Sequence, residues 1–191
     1  ASETYPDARL PAGITVRPAR PSDLPALHAL LDRCSRDTLY RRFHGVVGRS
    51  VRRELARIAT PTATHRSWVA VDRHGAVRGT ATLAWSRTGE VEVAFLVEDG
   101  FRRRGIGRAL VTAAGHEAAA RGVAVVVAHI QGDNANASRF VRAVVPDASL
   151  RFHDGMTVGS LPVAAAARPA GTARRAPLSP LPLSPRSTDT H

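Results

Sequence analysis

The apolar positions of the chain change period along its length, and each change marks an element. Ile14 to Arg17 reads as a short strand. Beyond Pro21-Ser22-Asp23, the residues Leu24, Leu27, Leu30 and Leu31 fall on one helical face, which predicts a helix to about Arg33 with Ser22 or Asp23 as its cap. A second helix is expected over Asp37 to His44. A third apolar stripe, Val51, Leu55 and Ile58, closes before Pro61, because a proline steers the residue ahead of it away from helical geometry. The period then shortens. Ser67 to Asp72 and Val77 to Trp85 flank the turn signal Arg73-His74-Gly75 as a hairpin, and Thr88-Gly89 introduces a strand from Glu90 to Val97. A helix from about Gly105 to Arg121 is followed by a strand Val123 to Ile130, a helix from about Asn134 to Val144, and a hairpin of Ser149–His153 with Met156–Val158. The run Val123 to Ile130 has no polar alternation and is read as an interior strand with both faces covered. The fold class is α/β, a mixed and mostly antiparallel sheet flanked by helices.

From Pro162 to His191 the periodicity stops and Ala, Pro, Ser and Arg dominate. Such a segment buries too little surface to offset the entropy of ordering it. The expected organisation is therefore one folded domain over residues 1–161 and a disordered tail over 162–191, with a proline-rich ligand for a partner as the alternative for the tail. No run approaches the roughly 18 apolar residues of a membrane span. Ala1 to Leu10 also lacks the pattern of a signal peptide, so a soluble cytoplasmic protein without a membrane partner is expected. Cys34 has no partner for an internal disulfide, and its apolar surroundings suit a buried small hydrophobe better than a nucleophile.

Charge changes the picture less than its size suggests. The net charge is +11, which attracts polyanions. Yet all 27 basic residues are arginine and there is no lysine, a bias that fits a GC-rich coding sequence. The arginines are scattered and are not interleaved with stacking aromatics, so a nucleic-acid partner is not expected. His44, His65, His74 and His116 have no metal-ligand spacing and no Cys/His cluster exists, so no metal is expected.

The informative segment is Phe95-Leu96-Val97-Glu98-Asp99-Gly100-Phe101-Arg102-Arg103-Arg104-Gly105-Ile106-Gly107-Arg108-Ala109-Leu110, where a strand ends, a basic loop follows and a helix begins. The first N–H groups of a helix lack internal acceptors and sit at the positive end of its dipole, so a pyrophosphate can satisfy several together. Gly105 and Gly107 would let it approach the backbone, and the arginines add charge. A Walker loop is excluded by the lack of lysine. A dinucleotide fingerprint needs three glycines in a first βαβ unit, whereas this loop has two and follows an antiparallel meander.

Arg102-x-x-Gly105-x-Gly107, after a strand ending at Val97 and before Arg-Ala-Leu, resembles the acetyl-CoA motif of the GNAT superfamily of N-acetyltransferases, and the order of elements agrees over roughly residues 14 to 160. The resemblance implies a GNAT-like sheet splayed at its centre. It implies that the backbone of Phe95 and Val97 bonds the pantetheine arm, and that the N–H groups of Arg102, Arg103, Arg104, Gly105, Ile106 and Gly107 hold the pyrophosphate of acetyl-CoA. Asn134, or in the other register Asn136, would contact the cofactor. Asp37 to His44 and Val91 to Phe95 are further similar to a branch that includes bacterial protein lysine acetyltransferases.

Acetyl transfer needs a neutral amine, a polarised carbonyl and a proton for the departing thiolate. Glu92 is the first candidate base, standing where the resembling branch carries a glutamate. A partly desolvated carboxylate there would have a raised pKa. The alternative is a solvated strand glutamate, sharing a face with Glu90 and paired with an arginine. His129 is the second candidate, as a titratable interruption of an apolar strand. The family's general-acid tyrosine falls on Val141, beside Phe140, and neither donates a proton. The expected activity is acetyl transfer to a primary amine of a small molecule, peptide or protein, with a CoA-binding regulatory or pseudo-enzyme domain as the alternative. Monomer and homodimer both stay open.

Overall fold

The computed structural model describes residues 10–43 and 49–163. Its seven described strands are β1 (Ile14–Pro18), β2 (His65–Asp72), β3 (Val77–Trp85), β4 (Val91–Val97), β5 (Val125–Gln131), β6 (Ser149–His153) and β7 (Met156–Pro162). They form one sheet in the order β1-β2-β3-β4-β5-β7-β6. Every neighbouring pair is antiparallel except β4 and β5, which run parallel. The described helices are α1 (Leu24–Arg33), α2 (Arg36–Phe43), α3 (Arg49–Ala59), α4 (Ile106–Ala120) and α5 (Ala135–Val144). The expected second helix thus ends at Phe43, and His44 lies outside the described residues.

Strand alternation sorts the core into two layers. Ala81, Leu83, Val91 and Val93 meet Ile106, Leu110 and the alanines of α4 on one side of the sheet. On the other side Val69, Val77 and Leu96 meet Leu27 and Leu30 of α1 and Leu55 and Ile58 of α3. The leucine and isoleucine stripes read from the sequence are therefore the faces that pack.

Three expectations are corrected. Asp23 does not cap α1: its carboxylate turns back to accept from the Arg20 N–H at 2.8 Å and from both Nη atoms of Arg17 at 2.7 and 2.8 Å. Burial alone would raise the Asp23 pKa, but these bonds outweigh it and hold the carboxyl below its ordinary value. The strand Val123 to Ile130 was expected to be covered on both faces, and it is covered on one. Val126, Ala128 and Ile130 are buried, whereas Val125 is 45% exposed and His129 is also exposed. Hydrogen bonding makes β5 an interior strand, but helices cover only one of its faces among the described residues, so apolar side chains there do not imply two-sided burial. Finally, β7 extends to Pro162, which pairs with Val125, and the Val163 N–H donates to the Ala124 carbonyl at 2.9 Å. The sheet takes up the first residues of the segment read as tail; residues 164–191 lie outside the described ones.

Candidate active site

The parallel step between β4 and β5 holds at one position, Glu92 opposite Val127. No further pair joins the two strands, which leaves a gap in the ladder beyond it, and the question is which backbone groups of β4 face that gap. The Glu90 carbonyl accepts from the Ser86 N–H at 2.8 Å and the Arg78 carbonyl from the Glu98 N–H at 2.9 Å, at the two ends of a β3–β4 ladder of unbroken register. Antiparallel bonding alternates, so the even-numbered residues of β4 bond to β3. The odd-numbered residues accordingly face β5: Val91 and Val93 flank the one bridge, and Phe95 and Val97 turn their N–H and C=O groups toward the gap beyond it. The sequence picks out Phe95 and Val97, and the structure gives both a backbone able to bond a ligand. The Val97 carbonyl already meets Arg102 Nε at 3.5 Å.

After β4 a 3-10 turn, Asp99–Phe101, leads through Arg102, Arg103 and Arg104 to Gly105, the residue that precedes α4. Gly105 has φ 85° and supplies no side-chain cap, and the first turn of α4 carries no acidic residue. The leading N–H groups are left to a ligand or solvent. Arg103 also holds a left-handed φ of 58°, which costs a non-glycine residue about 1 kcal/mol. Arg103 and Arg104 are exposed, and the Arg104 guanidinium lies 5.1 Å from the Phe101 ring.

Arg102 behaves differently from the expectation. Its guanidinium turns away from the helix to the Thr38 hydroxyl and to Asp99 Oδ1 at 3.2 Å. Asp99 also accepts from the Ser35 N–H at 2.8 Å and the Thr38 hydroxyl at 2.7 Å. Burial would raise the Asp99 pKa, but the Ser35 and Thr38 bonds and the Arg102 charge hold it below its ordinary value. Arg102 thus ties the loop to the start of α2, and its own N–H donates to the Asp99 carbonyl at 3.4 Å, so the N–H groups that follow it are the ones open to an anion. Gly107 differs too. A Cβ there would stand 3.1 Å from the Phe140 ring, so any larger residue makes that ring give way by a few tenths of an ångström, and the glycine serves the packing of α5 on α4. Phe140 in turn lies 4.9 Å from Phe95, centroid to centroid. Ile106 is buried in the core.

Glu92 is exposed, where the sequence reading expected partial desolvation. It shares the wall of a cavity of about 320 Å³ with Arg42, Glu54, Arg57, His65 and Thr82. The sheet register explains the meeting: His65 pairs with Ala84 and Ala84 with Glu92, so one row across three strands carries both polar groups on one face. His129 lies on the same face, its Nε2 4.0 Å from Glu90 Oε1. Glu90, and not an arginine, is therefore its charged neighbour. Sequence reasoning weighed His65 only as a metal ligand and overlooked Glu54 and Arg42. The legible signals were that His65 falls two residues before Ser67, on the same strand face, and that Glu54 stands three residues after Val51 on the apolar stripe.

Asn134 caps α5, its Oδ1 accepting from the Ala137 N–H at 3.1 Å, which leaves its amide NH2 as the group suited to a ligand. Asn136 instead accepts from Arg139 at 2.8 Å. Val141 is buried in the core, so the position of the expected proton donor is filled by packing. Burial pushes the Cys34 thiol up to about 11, with Asp99 and Glu98 adding to it, so the thiolate is scarce at neutral pH. Among the described residues no group of three or more His, Cys, Asp or Glu is arranged to hold a metal, and no helix is long and apolar enough to cross a membrane.

This geometry has relatives. The sequence profile of the Acetyltransferase (GNAT) family matches residues 26–144, more than half of the chain. The chain belongs to the GNAT acetyltransferase family. Acyl transfer is accordingly its class of chemistry, and the resemblance read from Arg102 to Gly107 is borne out at that level. Solved GNAT structures share the fold. The GNAT domain of PAT from S. lividans is 21% identical with a TM-score of 0.68, over 78% of this chain and 90% of that one. A Salmonella typhimurium acetyl transferase that modifies the N-terminal serine of the 50S ribosomal subunit protein L7/L12 is 17% identical, TM-score 0.62, over 83% and 97%. The PaiA N-acetyltransferase of Thermoplasma acidophilum, in complex with coenzyme A, is 12% identical, TM-score 0.61, over 78% and 98%. No curated protein sequence matches the chain.

Proposed function

We infer that the protein transfers an acetyl group from acetyl-CoA directly to a primary amine, and that β4 and the loop after it hold the cofactor. The observation that carries this reading is the end of β4–β5 pairing at Glu92, which leaves the Phe95 and Val97 backbone unpaired on that side, on the strand whose following loop opens α4. When bound, acetyl-CoA supplies the acyl group as an activated thioester. The N–H groups from Arg103 to Gly107 bind the pyrophosphate, the Arg103 and Arg104 side chains add charge, and the Asn134 amide donates to the cofactor. A gap-facing N–H of β4 is placed to polarise a carbonyl. Glu92 removes the ammonium proton, directly or through one water, since an alkyl amine with a pKa near 10.4 arrives charged. Glu92 is exposed, and His129, with Glu90 beside it, is the second candidate. No tyrosine stands at Val141, and water protonates the thiolate, whose conjugate acid has a pKa near 8.5.

The acceptor is an amine of a small molecule, peptide or protein. The packed Val141 favours a second reading, a CoA-binding domain with little turnover. Steady-state CoA release with a panel of primary amines separates the two. Release above the hydrolytic background for at least one amine is expected. Tight acetyl-CoA binding with no amine-dependent release would establish the second reading.

A further inference from the structure

Two residues that line the cavity beside Glu92, Arg42 and His65, each carry a buried polar atom without a hydrogen-bond partner, and the two atoms are of opposite kind. Arg42 Nε is a buried donor with no acceptor, and His65 Nδ1 is a buried atom with no partner on a residue only 3% exposed. His65 bonds the Arg57 backbone carbonyl through its other nitrogen, which makes Nδ1 of the neutral ring an acceptor. Neutrality is favoured there: burial lowers the His65 pKa first, and the Arg57 and Arg42 charges add to it.

The charges of the cavity are equally unbalanced. Glu54 is shared by two guanidiniums, Arg57 at 3.3 Å and Arg42 at 3.6 Å. Arg57 is 60% exposed and solvated, whereas Arg42 is 12% exposed and relies on that long contact. Burial depresses the Arg42 pKa, and Glu54 and Glu92 offset this only in part. A buried guanidinium left underpaired is unfavourable unless an anion completes it. Across the cavity wall stands the exposed carboxylate of Glu92, whose charge also acts on Arg42.

We propose that the amine acceptor is a small zwitterion, an amino acid in the broad sense, whose carboxylate is held by Arg42 while its amino group lies between His65 Nδ1 and Glu92. The assignment rests on the acetyl-transfer reading only for the fate of the amino group; the carboxylate site stands on Arg42 and the cavity. A ligand with both signs satisfies the orphan donor and the orphan acceptor at once, as neither a plain amine nor a plain acid does. A volume of about 320 Å³ lies at the lower end of small-molecule sites and accommodates one amino acid.

The test uses the full chain with glycine, β-alanine, 4-aminobutanoate and the twenty standard amino acids, each beside its carboxamide. Two readouts are taken, CoA release and the thermal shift given by the amine in the presence of CoA. At least one amino acid is expected to exceed its amide about ten-fold or more in kcat/KM, the weight of one charge-assisted hydrogen bond. Arg42→Met is expected to bring that ratio to near one and to keep the thermal shift given by acetyl-CoA. The wild-type ratio decides the matter if this variant fails to fold. Equal use of acids and amides, or a preference for peptides with blocked carboxylates, overturns the proposal and leaves acetyl transfer standing. A carboxylate-selective thermal shift without CoA release upholds the site and overturns the transfer reading. Neither shift nor release overturns both.

Discussion

Glu92 occupies the last paired position before β4 and β5 separate, so its side chain stands between the gap and the cavity on the α3 face. If it takes the ammonium proton, Glu92→Gln keeps shape and hydrogen bonding but removes the base. Turnover is expected to fall about 10²-fold, with acetyl-CoA binding nearly unchanged. Raising the pH restores part of the loss, because more amine arrives neutral. Normal turnover of the variant on a verified substrate would move the role to His129. Arg103 makes the contrasting case. It stands at a left-handed φ, is exposed, and has no packing role to lose, so Arg103→Glu changes charge at the loop with little effect on the fold. Its expected consequence is an acetyl-CoA dissociation constant about ten-fold weaker, measured by calorimetry, with an unchanged melting temperature in the absence of ligand. An unchanged affinity would remove the loop from the cofactor site.

At the scale of elements, the strand–loop–helix from Phe95 to Leu110 was the most legible part of the sequence, because helix starts and glycines act locally. The packed helices were legible for the same reason: Leu27, Leu30, Leu55 and Ile58 recur at the helical period and are the residues that bury. What escaped was set by tertiary geometry. The role of Gly107 depends on Phe140, which arrives from α5. The turn of Arg102 away from the helix depends on Thr38 and Asp99. One open face of β5 follows from where the helices lie, which an apolar run cannot report. The cavity group of Arg42, Glu54 and His65 is assembled from α2, α3 and β2, so no local pattern announces it. Swapping the two glycines for bulkier residues is therefore an ambiguous test of the loop, since at Gly107 it would also strike the Phe140 ring.

Across the whole molecule, His65, Asp23 and Asp99 contribute to acid stability. The His65 pKa is lowered in the fold, so the unfolded chain takes up that proton first. The stability linked to His65 is complete above the unfolded histidine value of about 6.5 and declines as pH falls through it toward the lower folded value. Asp23 and Asp99 are also lowered, so their contribution is present above about 3.9 and is lost as pH falls through their folded values. Melting temperatures are expected to be level from pH 7 to 8 and to decline below about 6.5. They decline again in the carboxylate range, and the upper step is absent in His65→Leu. A wild-type curve level down to pH 5 would contradict the buried, neutral His65. Removal of residues 164–191, which spares the Pro162 and Val163 pairings, is expected to leave acetyl-CoA affinity intact by calorimetry. The account turns on the gap beside β4, and amide hydrogen exchange with and without acetyl-CoA reads it most directly. The cofactor should slow exchange at Phe95, Val97 and the amides from Gly105 to Gly107, and change Ala94 and Leu96 little, since these already bond to β3. Equal exchange at Phe95 and Val97 in the presence of saturating acetyl-CoA would contradict it.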